Sequence, residues 1–274
     1  MPHATLAPAL RWPAEALWQA AEPLLPGFSV EILPELGSTN TELMRRARLG
    51  RADPVLLVAE RQTAGRGRLG RDWHSGASNQ SESSACPSLT FSLGLPLAPR
   101  DWSGMSLAVG LSLVESLHPD LRLKWPNDVY FEGRKLAGIL IETVGMTETP
   151  GARYTVVGVG INLHPRSADG LNTPPAWLQE LRAGLEAPEV LLQVAAPLIH
   201  TLKAFERSGF SPFQARFNAR DALAGQEVAL SDGMRGVAQG VDDVGALQVL
   251  NAQGLQKITS AEVSVRPAPL PPKL

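Results

Sequence analysis

The chain has 274 residues, room for one large domain and a smaller companion. Its 25 Lys and Arg against 27 Asp and Glu leave a formal charge of −2, which excludes a protein that wraps nucleic acid by bulk charge but not a local basic patch. The single cysteine, Cys86, excludes an internal disulfide, a structural zinc cluster lacks its ligands, and no apolar run has the length of a signal peptide or membrane span, so a soluble cytoplasmic protein is expected.

Residues 1–27 read as a proline-punctuated helical extension, leading into a short strand at 28–33. Thr39 as N-cap with Glu42 at N3 fits a capping box, and predicts a helix from there to a stop at Gly50. Residues 55–60 are apolar without helical period, which predicts a buried strand. A Gly/Arg segment follows at 65–71, then a Ser-rich stretch at 75–88 that reads as a mobile loop. Further expected elements are a strand at 89–95, a buried helix at 104–118, a strand at 121–124 and a turn at 125–128. Strands at 129–131 and 136–142 flank Glu132-Gly133, a hairpin signal, and a strand at 155–163 carries two glycines. Residues 165–185 read as loop, and 189–206 and 212–221 as helix. After residue 223 short β-like runs (227–230, 235–239, 246–250, 255–259 and 262–265) predict a small barrel over 224–268, followed by a frayed tail, 269–274.

Four segments could carry chemistry. Gly65-Arg66-Gly67-Arg68-Leu69-Gly70-Arg71 formally matches a dinucleotide fingerprint, but no helix opens after it, so that reading is rejected. What remains is a loop whose guanidinium groups suit phosphate or carboxylate, or else an ordinary RG surface loop. Residues 60–72 hold four arginines and two acids, a local net charge of +2. Lys124-Trp125-Pro126-Asn127-Asp128 and Arg134-Lys135 could place lysines on a phosphate and Asp128 on a Mg²⁺, or could be solvated hairpin ends. In Gly158-Val159-Gly160-Ile161-Asn162-Leu163 the glycines could let a flat group lie on the sheet, with Asn162 reading a base edge; a plain twisted strand fits as well. Gly37-Ser38-Thr39-Asn40 offers helix N–H groups to a small ligand, although a simple capping box explains it.

The order of these segments adds more than any one of them. Gly-Ser-Thr-Asn, then Gln62 and the Gly/Arg segment, then Lys-Trp-Pro-Asn-Asp, then Arg-Lys-Leu-Ala-Gly-Ile-Leu-Ile-Glu, then Gly-Val-Gly-Ile-Asn-Leu resembles the biotin protein ligases over about residues 30–223. The resemblance implies an α+β fold, a central mixed sheet flanked by helices, with a C-terminal SH3-like β domain from residue 224. It implies activation of biotin by ATP to biotinoyl-5′-AMP, with Mg²⁺, and transfer to a lysine of a biotin carboxyl carrier protein of acetyl-CoA carboxylase. In that pattern Ser38, Thr39, Asn40, Gln62, Arg66, Gly67, Arg68 and Lys135 would bind biotin. Gly65, Arg66, Arg68, Arg71, Lys124, Asn127, Asp128 and Asn162 would bind ATP or the adenylate. Lys135, Arg66 and Arg68 would be catalytic, and Asp128 would hold the metal. Residues 55–59 and 139–141 are expected to line the biotin chain.

Family members that double as repressors carry a helix-turn-helix domain ahead of the Ser-Thr-Asn motif. Only 37 residues precede Ser38 here and show no recognition-helix pattern, so no DNA binding is expected. Residues 78–87 look like a Ser-rich insertion. A homodimer is compatible with the sequence. The rival readings are a lipoate–protein ligase and a non-enzymatic regulator that binds biotin or nucleic acid.

Overall fold

A computed structural model describes residues 10–73, 86–146, 151–165, 175–259 and 265–267. The expected loop over 75–88 and the expected tail fall mainly outside the described residues, as does most of the strand expected at 262–265.

The chain order is α1 (Ala14–Ala21), β1 (Ser29–Leu36), α2 (Thr39–Arg48), β2 (Val55–Gln62) and β3 (Ser88–Leu97), then α3 (Met105–Leu117) and β4 (Arg122–Lys124). The hairpin β5 (Asp128–Phe131) and β6 (Arg134–Gly145) follows, then β7 (Arg153–Asn162), α4 (Ala187–Ser208) and α5 (Gln214–Asn218). Five strands close the chain: β8 (Glu227–Leu230), β9 (Arg235–Val241), β10 (Leu247–Asn251), β11 (Gly254–Ile258) and β12 (Val265–Pro267).

Seven strands form a mixed sheet in the order β1-β2-β3-β7-β6-β5-β4, parallel only between β1 and β2. β2 shows why residues 55–60 read as a continuous apolar run. Successive side chains of a strand point to opposite faces, and both faces of β2 are covered. Leu56 and Val58 join the large core with α1, α3 and α4, while Val55 and Leu57 join a smaller core with Leu43 and Met44 of α2. α3 is buried nearly all round, as its apolar sequence implied.

The start of α2 differs from the expected box. Ser38 is the N-cap, its hydroxyl accepting from the Thr41 N–H at 3.4 Å. Thr39 cannot serve because its side chain is turned inward, and Glu42 reaches forward to Arg45 and Arg46 rather than back to the cap. Salt bridges to Arg45 and Arg46, the Arg45 hydrogen bond foremost, hold the Glu42 carboxyl down at about 2.

The last five strands make an antiparallel sheet ordered β11-β10-β9-β8-β12. It packs onto the large core through Val228, Val241, Leu247 and Val249. The Trp125 indole N–H donates to Gly245 O at 3.1 Å, and Asn218 accepts from and donates to the Val241 backbone. No helix among the described residues is long and apolar enough to cross a membrane.

Candidate functional site

Strand register assembles the floor of the site. Thr90, Gly160 and Gly138 lie in one row across β3, β7 and β6; Ser92, Gly158 and Leu140 lie in the next. These positions alternate with core residues such as Phe91, Val159 and Ile139, so the rows face α2 on the other side of the sheet. Three glycines leave bare backbone there, and the two on β7 are covered most closely. A methyl on Gly158 would lie 2.1 Å from Asn40 Oδ1, and one on Gly160 would lie 2.3 Å from the Trp73 ring. In this structure the protein's own Trp73 indole lies over Gly160 and the Asn40 amide over Gly158, where the sequence suggested a flat ligand group.

The N-terminus of α2 delivers Ser38, Thr39 and Asn40, all buried. Two N–H groups of this helix start are already used within the fold. Thr39 N–H donates to Gln62 Oε1 at 2.8 Å, and Thr41 N–H is used by the cap. Asn40 is held on three sides: its Nδ2 donates to Leu140 O at 3.1 Å and to Glu142 Oε2 at 3.0 Å. Its Oδ1, which can only accept, takes the Ser92 hydroxyl at 2.6 Å. Ser92 Oγ also lies 2.7 Å from Thr39 Oγ1.

The Gly/Arg segment is a narrow hairpin rather than a slack loop. Trp73 N–H donates to Gly65 O at 2.9 Å and Gly67 N–H to Arg71 O at 2.7 Å, with a 3₁₀ turn, Arg68–Gly70, at its tip. The fold therefore spends the Gly67 N–H on the hairpin itself. Arg66 Nη1 lies 3.4 Å from Glu142 Oε1. Arg68 Nη1 donates to Asn127 Oδ1 at 2.9 Å, while its buried Nη2 has no hydrogen-bond partner among the described residues. Burial pulls the Arg68 guanidinium below its ordinary pKa, opposed by the charge of Asp128. An arginine remains charged even so, and such a desolvated donor suits an anion.

These groups surround a cavity of about 60 Å³. Ser38, Thr39, Asn40, Gln62, Arg66, Gly67, Arg68, Asn127 and Lys135 line it, so all eight polar-site residues expected to bind biotin reach it. Trp73, Phe91, Gly138, Leu140, Gly158, Val159 and Gly160 complete the wall, with Ile139. Of the residues expected along the biotin chain, Ile139 and Leu140 reach it; Ile141 does not, and neither do 55–59, because β2 spends Val55 to Val58 on the two cores. A larger cavity of about 340 Å³ lies beyond, between Trp102, Trp125, Ile141, Arg153 and Gly245. It shares Arg68, Asn127 and Ile139 with the first, but the smaller one holds the converging polar groups and is the candidate site.

Gly65, Arg71, Lys124, Asp128 and Asn162 lie outside the cavity wall. Lys124 Nζ bonds the Tyr130 hydroxyl at 3.1 Å. Asn162 is fully buried, and its Nδ2 donates to Ala176 O at 2.9 Å and Lys135 O at 3.3 Å. It ties β7 to the next segment and to β6 rather than presenting its amide to the cavity. Asp128 Oδ1 lies 2.7 Å from Lys135 Nζ. Among the described residues no group of three His, Cys, Asp or Glu could hold a metal, so Asp128 does not build a centre of its own. Cys86 is buried rather than placed in a polar loop; burial pushes its thiol up to about 12, far from a nucleophile's range.

Trp73, Ser92 and Glu142 take part in this geometry although the sequence reading did not single them out. The period-2 alternation of β3 and β6 was the available signal for Ser92 and Glu142. Nothing local marked Trp73.

The model of the Biotin/lipoate A/B protein ligase family matches residues 35–162, and that of the Biotin protein ligase C terminal domain matches residues 224–266. The chain is 36% identical to the bifunctional ligase/repressor BirA of Escherichia coli (strain K12), over 89% of this chain and 76% of that one. It is 33% identical to the biotin--[acetyl-CoA-carboxylase] ligase of Paracoccus denitrificans, over 85% of this chain and 98% of that one. Among solved structures it is similar to the biotin protein ligase from Aquifex aeolicus in complex with biotin and ATP: TM-score 0.70, 31% identity, 87% of this chain and 99% of that one.

Proposed function

The chain belongs to the biotin protein ligase family, and from that premise we propose how its residues divide the work of ATP-dependent biotin ligation. It is an enzyme that joins biotin to protein at the expense of ATP. One observation carries the site assignment: Ser38 to Asn40, Gln62, Arg66 to Arg68 and Lys135, far apart in sequence, converge on one cavity over a glycine floor.

The buried network of Thr39, Asn40, Ser92 and Gln62 offers fixed donors and acceptors to a polar ring. In the first step a biotin carboxylate oxygen attacks the α-phosphorus of ATP. A P–O bond forms, the bond to the bridging α–β oxygen breaks, and pyrophosphate leaves. Both reactants are anions, so positioned cations lower the barrier more than any nucleophilic side chain would. Arg66, Arg68 and Lys135 supply them. Mg²⁺ arrives with ATP as part of the substrate, and Asp128 offers it at most one carboxylate, shared with Lys135. In the second step the neutral amine of an acceptor lysine attacks the biotinoyl carbonyl. The C–N bond forms, AMP departs with the shared oxygen, and a proton is lost. The proposed acceptor is the biotin carboxyl carrier protein of acetyl-CoA carboxylase.

Biotin-dependent exchange of pyrophosphate into ATP tests this directly. Exchange with biotin and none with lipoate is expected; exchange with lipoate alone, or none with either, would overturn the reading.

A further inference from the structure

Glu142 does not line the cavity, yet it touches two residues that do. Its Oε2 accepts from Asn40 Nδ2 at 3.0 Å and its Oε1 faces Arg66 Nη1 at 3.4 Å. Asn40 sits at the start of α2, whereas Arg66 belongs to the Gly/Arg hairpin. One carboxylate, mostly buried on the α2 face of β6, thus joins the ring side of the site to its cationic side from behind. Among the described residues it is the acid that meets the Arg66 guanidinium, whose side chain is otherwise half exposed.

Placing a carboxylate behind a site for two anions is unfavourable by simple Coulomb reasoning, unless its charge is matched. Arg66 matches it, and Glu142 in return restrains a long, rotamer-rich side chain. Asn40, fixed by Ser92 and Leu140 O, anchors the carboxylate so that the restraint has a rigid base.

We propose that Glu142 is a positioning residue that seats Arg66 over the cavity and links that seat to the Asn40 amide. This rests on the ligase reading, since it assigns Arg66 to the phosphate. Glu142→Gln keeps an oxygen to accept from Asn40 but loses the charge that holds Arg66. It should lower kcat/KM for ATP in pyrophosphate exchange about tenfold, as expected when a catalytic group is slightly misplaced, and weaken biotin binding without ATP by less than that.

The deciding measurement is a double-mutant cycle with Arg66→Ala. With Arg66 gone, the residual carboxylate repels substrate, so Glu142→Gln should cause no further loss and should restore some activity. An equal loss in both backgrounds would overturn the proposal while leaving the ligase reading intact. Absence of biotin-dependent exchange in the unaltered chain would overturn both. Thermal melting checks each variant; if Glu142→Gln does not fold, Glu142→Asp, with its charge kept but its reach shortened, carries the same cycle. An Asp effect independent of Arg66 would also sink the idea.

Discussion

The indole of Trp73 rests on the backbone of Gly160, so close that a methyl group there would lie 2.3 Å from Cε2. Trp73 follows the Gly/Arg hairpin, so one contact ties that hairpin to the central sheet. Gly160→Ala should unseat the indole while leaving β7 paired. Biotin KM should rise about tenfold or more, and the Trp73 contribution to fluorescence, isolated against Trp73→Phe, should shift toward that of a solvated indole. An unchanged KM would show that the seat is irrelevant to binding.

In the proposed mechanism Lys135 and Arg66 act by charge and not by packing, and both are partly exposed. Lys135→Ala and Arg66→Ala should each slow adenylate formation about 10²-fold or more in a single-turnover assay, with melting temperatures close to that of the parent chain. Rates near the parent's in both variants would remove them from the mechanism.

Arg68 is held differently, with one nitrogen on Asn127 and another buried and unpartnered among the described residues. Arg68→Lys keeps the charge and loses the fork. Because a planar guanidinium presents two donors at once, the lysine should cost about 10-fold or more in kcat/KM for ATP. Equal rates would mean that charge alone suffices there.

Asp221 sits where the chain passes from the first sheet to the second, bonded through Oδ1 to the Leu223 N–H at 2.9 Å. Burial holds its carboxyl up at about 6 from the usual 3.8. A pKa raised by folding favours the native state below the unfolded value, and this advantage is lost as pH rises through the folded value. Relative to the parent, Asp221→Asn should therefore gain stability across pH 4 to 6 and hold that gain above it, by about 1–3 kcal/mol. Denaturant melts at pH 4 and pH 7.5 check this; a gain at pH 4 as large as that at pH 7.5 would refute it.

Local chemistry alone determined much of this protein. The buried two-faced strand at Val55, the hairpin at Glu132-Gly133, the all-round apolar helix at Met105 and the change to short strands after Leu223 each follow from periodicity or turn residues. The order of the Ser-Thr-Asn, Gly/Arg and Lys-Leu-Ala-Gly segments also led to Ser38 to Asn40, Arg66 to Arg68 and Lys135, which reach the cavity. Tertiary structure decided which way individual side chains were spent. Thr39 was free to cap α2 until Gln62 and Ser92 drew it inward, leaving the cap to Ser38. Asn162 carries the same amide whether it faces a ligand or Ala176 O, and only the path of the chain after β7 settles that. Glu142 and Trp73 became part of the site through strand register and loop return, contacts between residues 76 to 102 and 87 positions apart. A sequence specifies such pairings only through the whole fold, because each side chain has several equally good local partners.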